Sequence, residues 1–229
     1  MSREVAVGMP LNFDFIMKYL PWYLDAAMLT VKIAFFGILF SLLAGTVCSV
    51  LQYYRVPVIH RVISVYIEIS RNTPLLIQLF FLYFGLPKLG IILSGEACAV
   101  IGLTFLGGSY MSESMRSGPE SVERTQIESA ASLGMSKVLT MREVIFPQAL
   151  AVSVPGVLAN VIFLIKETSV VSGIALADLM YVAKDLIGLY YETDEALLML
   201  VAFYLIILLP ISVFATVLER RLRYAGFGN

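Results

Sequence analysis

The fold class this sequence predicts is an all-α integral membrane protein, with five transmembrane helices and a short helix outside the membrane. Three observations carry that reading. Hydrophobic residues make up 59% of the 229-residue chain and charged residues only 14%, with a mean hydropathy of +0.86, a balance outside the soluble globular range. Five segments are apolar enough, and long enough, to cross roughly 30 Å of hydrocarbon, which takes about 20 helical residues. The Lys and Arg residues are shared unevenly between the two faces that five crossings would create.

Along the chain, residues 1–25 read as an external N-terminal segment. They lack the basic stretch, short apolar core and small-residue cleavage site of a removable signal, so the first span is expected to act as its own insertion signal. Phe13, Ile16, Met17, Leu20, Trp22 and Tyr23 recur among Asp14, Lys18 and Asp25 at roughly helical spacing. That pattern predicts an amphipathic helix lying at the membrane surface, its rings at headgroup level.

The spans are expected at 26–51, 62–86, 97–115, 150–171 and 196–218, within one five-helix domain over 26–222 that carries a cytoplasmic loop at 117–147. A tail follows at 223–229. Arg55, Arg61, Arg116, Arg124, Lys137, Arg142, Arg220, Arg221 and Arg223 collect on one face, against Arg3, Lys18, Lys88 and Lys184 on the other. Positive charge stays inside, which makes the N-terminus external and the C-terminus cytoplasmic. The remaining cations, Lys32, Arg71 and Lys166, fall within spans, where a charge is costly unless it faces protein, water or a partner. Lys32 lies near a span end and is expected to snorkel outward.

The loop after the third span is the most structured part of the sequence outside the membrane. Thr125 and Glu128 have the spacing of a capping box, Gly134 suits a left-handed helix stop, and Ser136 suits the cap of the next helix. A helix of about two turns is expected. Ser129, Ala130, Ala131 and Ser132 are all small, which would let another protein approach closely; a plain helical cap with no partner is the competing reading.

Glu128, Ser129 and Ala130, then Gly134, then Val144, Phe146 and Pro147 resemble the EAA signature of permease subunits of binding-protein-dependent ABC importers. The spacing holds throughout. Ser129 stands where Ala is usual and Phe146 where Leu is usual. Arg71, Asn72, Thr73 and Pro74, running on through Gln78 to Pro87, look like the second-span signature of the polar amino acid branch, with Asn72 in place of its usual Gly. Lys166, Glu167, Thr168 and Ser169 are similar to that branch's Lys-Asp-Thr-Ser stretch, and Glu219, Arg220 and Arg221 match its C-terminal end. The likeness covers about 19–221.

The resemblance implies the ABC importer permease fold and transport of a polar amino acid, with Thr125, Glu128, Ser129, Ala130, Ala131, Gly134 and Pro147 coupling to an ATPase. It also implies an ATPase dimer, a second permease copy or a similar subunit, an external solute-binding protein and a membrane lipid environment. No cofactor is expected in this chain, since ATP and Mg belong to the ATPase. A net charge of −1 argues against a nucleic-acid partner.

Chemistry of the residues points to the same second-span segment. Pro74 removes a helix hydrogen bond and disfavours helical geometry at Thr73, so the helix should break there and free backbone groups that something must satisfy. Arg71, one turn before, offers a fork for a carboxylate, either a ligand's or that of Glu68 or Glu113; both readings stand at this point. Tyr110 and Glu113 share a face of the third span. Lys166 and Glu167 point about 100° apart, and Glu167 would suit an amino acid's ammonium. The substrate-binding candidates are therefore Arg71, Asn72, Thr73, Gln78, Tyr110, Glu113, Lys166, Glu167, Thr168 and Ser169. His60, the single histidine, has no Cys or carboxylate grouping around it that would suggest a metal or a triad, and the chain has no phosphate-binding loop, so neither metal chemistry nor ATP hydrolysis is expected of it. Cys48 and Cys98 sit in apolar stretches as small buried residues. An ion-gradient-driven carrier or channel, or a membrane scaffold or enzyme subunit, are the competing functions; five spans are few for a carrier with internal repeats.

Overall fold

A computed structural model describes residues 11–54 and 57–227, without the side chains of 223–227. Expectations resting on Arg3, Arg55 and the side chain of Arg223 lie outside the described residues. The described chain is helical throughout and has no strand.

Helix α1 runs unbroken over Phe13–Tyr53, with Pro21 inside it. The expected surface helix is thus the first turns of α1. Of the residues expected at the membrane surface, Phe13, Met17 and Trp22 are exposed, whereas Tyr23 is buried together with Phe15 and Tyr19 among Leu179, Val182, Leu186, Ala196 and Met199. The Tyr23 hydroxyl donates to the Ala196 carbonyl at 2.7 Å, so the ring packs with its polar tip satisfied. Burial against α8 (Leu179–Tyr190) and α9 (Thr193–Phe227) outweighs interfacial placement for these rings.

The centre of the bundle is a seam between α1 and α4 (Gly95–Glu120). Small residues recur every three or four positions along α1, at Ala26, Thr30, Ala34, Gly37, Ser41, Gly45 and Ser49, and all are buried. The backbones meet so closely that a Cβ on Gly45 would sit 2.5 Å from the Met111 Cβ and 2.9 Å from the Ser112 nitrogen. Ser41 donates to the Leu103 carbonyl at 3.1 Å across this seam. The other face of α4 meets α7 (Phe146–Glu167), where Asn160 reaches the Tyr110 carbonyl at 3.1 Å and the Ser114 hydroxyl at 2.9 Å.

The second expected span is broken at Pro74. Helix α2 (Pro57–Asn72) stops two residues before it and α3 (Leu75–Phe80) restarts after it, continuing through a π-turn at Phe81–Gly85 and a 3-10 turn at Leu86–Leu89. Outside the bundle lie α5 (Arg124–Ser132) and α6 (Lys137–Thr140), the latter joined to α7 by a π-turn at Met141–Ile145.

Three helical stretches are long and apolar enough to cross a membrane among the described residues: Phe13–Tyr53, Lys137–Ile174 and Thr193–Leu222. The broken second segment and α4, which carries Glu96, Glu113, Arg116 and Glu120, do not meet that test by length and composition alone. Five crossings therefore remain a proposal. The helices of the third and fourth segments run on past the expected spans, to Glu120 and back to Lys137, into the 117–147 segment. Lys32 does not simply snorkel: it pairs with Glu96 at 2.6 Å, both side chains about half exposed.

Candidate functional site

At the Pro74 break the freed carbonyls are met from within the chain. Gln78 Nε2 donates to the carbonyls of Thr73 at 2.9 Å and Ser70 at 3.2 Å, and Asn72 Nδ2 donates to the Glu68 carbonyl at 2.8 Å. Two of the expected ligand-binding side chains thus act first as caps of their own helix end. Gln78 Oε1 is buried without a partner and leaves an acceptor beside the break.

Arg71, in the last turn of α2, reaches across to α4. Its Nη1 donates to Glu113 Oε2, and its guanidinium lies 5.1 Å from the centre of the Tyr110 ring. Internal pairing with Glu113 is therefore present; Glu68 lines the same space without forming a salt bridge among the described residues. Tyr110 and Glu113 do share a face, as their spacing implies. All border a cavity of about 520 Å³ between α1, α2 and α4, with Gln52, Ser64, Asn72 and Arg116 completing its polar wall. Arg116 is held by Glu120 at 2.7 Å, so both cations in the wall are already paired while Glu68 is not. Gln52 and Arg116 also border a second space of about 420 Å³ reaching Pro57, His60 and Glu120 at the helix ends.

Gln52, Ser64, Glu68 and Arg116 escaped sequence reasoning as cavity residues. For Ser64 and Glu68 the signal was their helical spacing with Arg71 on α2, which puts the three on one face; Gln52 and Arg116 come from α1 and α4.

Lys166, Glu167, Thr168 and Ser169 end α7 and enter a 3-10 turn over Thr168–Ile174. None of them borders the Arg71 cavity. Thr168 is fully buried and donates to the Ile165 carbonyl at 2.7 Å. Lys166 is exposed.

In the loop, Gly134 adopts φ +76° and completes a Schellman stop, with Met135 N–H donating to the Ala130 carbonyl at 3.1 Å and Gly134 N–H to the Ala131 carbonyl at 3.0 Å. Ser136 caps α6 by accepting from Leu139 N–H at 3.2 Å. The expected capping box does not form. Glu123 is the N-cap, which moves Thr125 to the second helical position; its hydroxyl donates to Glu123 Oε2 at 3.2 Å, and Glu128 instead pairs with Arg124 at 2.9 Å. Ala130 turns inward while Ser129, Ala131 and Ser132 stay exposed. Gln148, next to Pro147 at the start of α7, donates to Gln126 at 2.7 Å and ties the loop helix to the bundle.

A family model described as "Binding-protein-dependent transport system inner membrane component" matches residues 15–224. Over 179 residues the chain is 38% identical to a probable glutamine ABC transporter permease of Bacillus subtilis (strain 168), covering 76% of this chain and 82% of the relative. It is 34% identical over 199 residues to a probable amino-acid ABC transporter permease of Vibrio harveyi, covering 86% and 89%. Among solved structures, one described as an amino acid ABC transporter with histidines superimposes with a TM-score of 0.85 at 32% identity, covering 93% of this chain and all of the other. An inward-facing methionine ABC transporter shares the fold at a TM-score of 0.70 and 18% identity, covering 90% of this chain and 98% of the other.

Proposed function

This chain belongs to the family of binding-protein-dependent transport system inner membrane components, and from that premise we propose that it is the permease through which an ATP-driven importer moves a polar amino acid across the cytoplasmic membrane. The observation that carries the substrate reading is the Arg71–Glu113 pair, set beside a helix break in a polar cavity of about 520 Å³.

An amino acid carries the same two charges as that pair. Its carboxylate can replace Glu113 on the Arg71 fork, and its ammonium can replace Arg71 on Glu113, with Glu68 as a further carboxylate. Exchange of partners keeps every charge compensated during passage, which matters where water is scarce. Tyr110 holds the guanidinium in place through its ring face. Thr73, Asn72 and the free Gln78 Oε1 supply polar contacts at the break. Lys166, Glu167, Thr168 and Ser169 serve the path farther along α7 or the contact with a second permease copy.

A permease of this family works with an ATPase and a solute-binding protein; we assign ATP and Mg to the ATPase. Helix α5 and its flanks, with Thr125, Glu128, Ser129, Ala130, Ala131, the Gly134 stop and Pro147, form the coupling region, in which Ala130 faces inward. Two permease subunits on two ATPases, five crossings, an external N-terminus and a cytoplasmic C-terminus complete the proposal. The named relatives are ABC permeases, which leaves an ion-gradient-driven carrier without support.

The test is uptake by the transporter reconstituted with its ATPase and binding protein. A hydrogen bond to a charged group contributes about 1.5–3 kcal/mol, so Arg71→Ala should cut uptake roughly 10- to 100-fold with assembly intact. The charge-swapped pair Arg71→Glu with Glu113→Arg should assemble and fail to transport. Normal uptake by the swapped pair would show that the two residues only brace the bundle.

A further inference from the structure

We infer that the end of α1 and the start of the α6–α7 rod form a binding site for the headgroup of an anionic phospholipid of the cytoplasmic leaflet, an inference that rests on the orientation proposed above. A cavity of about 550 Å³ opens there between Tyr53 and Tyr54 on one side and Lys137, Met141, Arg142 and Phe146 on the other. It shares no residue with the Arg71 cavity.

The lining has the two halves such a lipid needs. Tyr54, Met141 and Phe146 expose apolar surface where two helices long enough to cross the membrane reach their ends, and Phe146 is 56% exposed. Lys137 and Arg142 supply the charge. Lys137 forms no salt bridge among the described residues, and Arg142 meets only Glu143, at 3.3 Å with both side chains largely open to solvent, a contact of little strength. Residues five apart on an α-helix point about 140° away from each other. Here the π-turn at Met141–Ile145 begins between them, and both cations border one space. Tyrosine hydroxyls at headgroup depth, cations above an apolar wall and a concave seat are complementary to a phosphodiester with its acyl chains.

The whole transporter, permease with its ATPase, should be placed in nanodiscs of phosphatidylethanolamine with increasing phosphatidylglycerol, and retained lipid read by native mass spectrometry. One interfacial cation raises affinity for anionic lipid about fivefold, so Lys137→Gln with Arg142→Gln should lower the preference for phosphatidylglycerol roughly 25-fold. Lys137→Arg with Arg142→Lys should keep it, which separates lost charge from a disturbed fold. Three results would overturn the inference: equal retention of both lipids by the wild type, an unchanged preference in the double Gln variant, or a photo-cross-linker at Val138 joining the ATPase or a second permease instead of lipid. Uptake by the Arg71 variants tests the transport reading independently.

Discussion

The carboxylate of Asp178 is fully buried and accepts from the backbone N–H groups of Tyr181 at 2.9 Å and Met180 at 3.3 Å, capping α8. Burial pushes this carboxyl up to about 6, against the opposing pull of those N–H groups and of Lys184. A carboxyl raised above its ordinary value binds its proton more readily folded than unfolded. Its ionisation therefore costs stability above about pH 6, and the cost fades as pH falls toward the ordinary carboxylate range. Asp178→Asn, which keeps the accepting oxygen without the charge, should melt at or above the wild type at pH 7.5, with the margin narrowing toward pH 4. Asp178→Ala should lose about 1–2 kcal/mol near pH 4, where the charge cost is absent and only the cap is removed, and less at pH 7.5, where that cost is removed with it. Melting of the detergent-solubilised permease at the two pH values reads both. A wild type that exceeds the Asn variant at pH 7.5 would show that the charge stabilises this site. At this scale the sequence was informative where chemistry is local: Pro74 breaks its helix and Gly134 turns left-handed because each is dictated by its own backbone. It was silent where partners come from other helices, so Arg71 had two carboxylates to choose from until α4 was placed beside α2.

Helix α5 shows how a small misplacement of a helix start changes the energetics of an element. With Glu123 as N-cap, Glu128 lies beyond the first turn and pairs only with exposed Arg124, a contact worth a few tenths of a kcal/mol. Glu128→Lys should therefore disturb the helix little. Any loss of transport in that variant would come from the face it presents to the ATPase. Gly134 is different, since a β-branched residue at φ +76° costs about 1–2 kcal/mol and also removes the stop that aims Met135 and Ser136 into α6. Gly134→Val should weaken ATPase co-purification and substrate-stimulated ATP hydrolysis while the permease still inserts normally. Undiminished ATPase binding and hydrolysis in Gly134→Val would reduce the loop to a connector. The sequence showed this loop well because caps and stops are short-range. It did not show α8, whose Asp178 cap and apolar face at Leu179, Val182, Ala183 and Leu186 were both legible but sat in a segment too short to cross a membrane.

At the scale of the whole molecule, the bundle is held by close contact rather than by hydrophobic contrast, since lipid tails are as apolar as the side chains they meet. The small-residue period on α1 and the facing glycines of α4 supply that contact, and the period was written in the sequence as Gly37, Ser41 and Gly45. The same bundle leaves most of α9 uncovered, its apolar window only 11% buried, which is the surface expected of a helix facing lipid or a second subunit. The proposed orientation rests on charge. The face carrying Arg61, Arg116, Arg124, Lys137, Arg142, Arg220 and Arg221 outnumbers the face with Lys18, Lys88 and Lys184, and moving many cations across a membrane during insertion is costly. In intact cells, with Cys48 and Cys98 replaced by Ala, single cysteines at Lys88 or Tyr191 should react with an impermeant thiol reagent, and those at Glu123 or Arg223 should react only after permeabilisation. Tyr191 is a sound reporter because it is 86% exposed just past the end of α8. The labels also test the crossing number, since Lys88 and Glu123 flank α4: opposite accessibility makes α4 a span despite its charges, and equal accessibility would remove both α4 and the five-crossing topology.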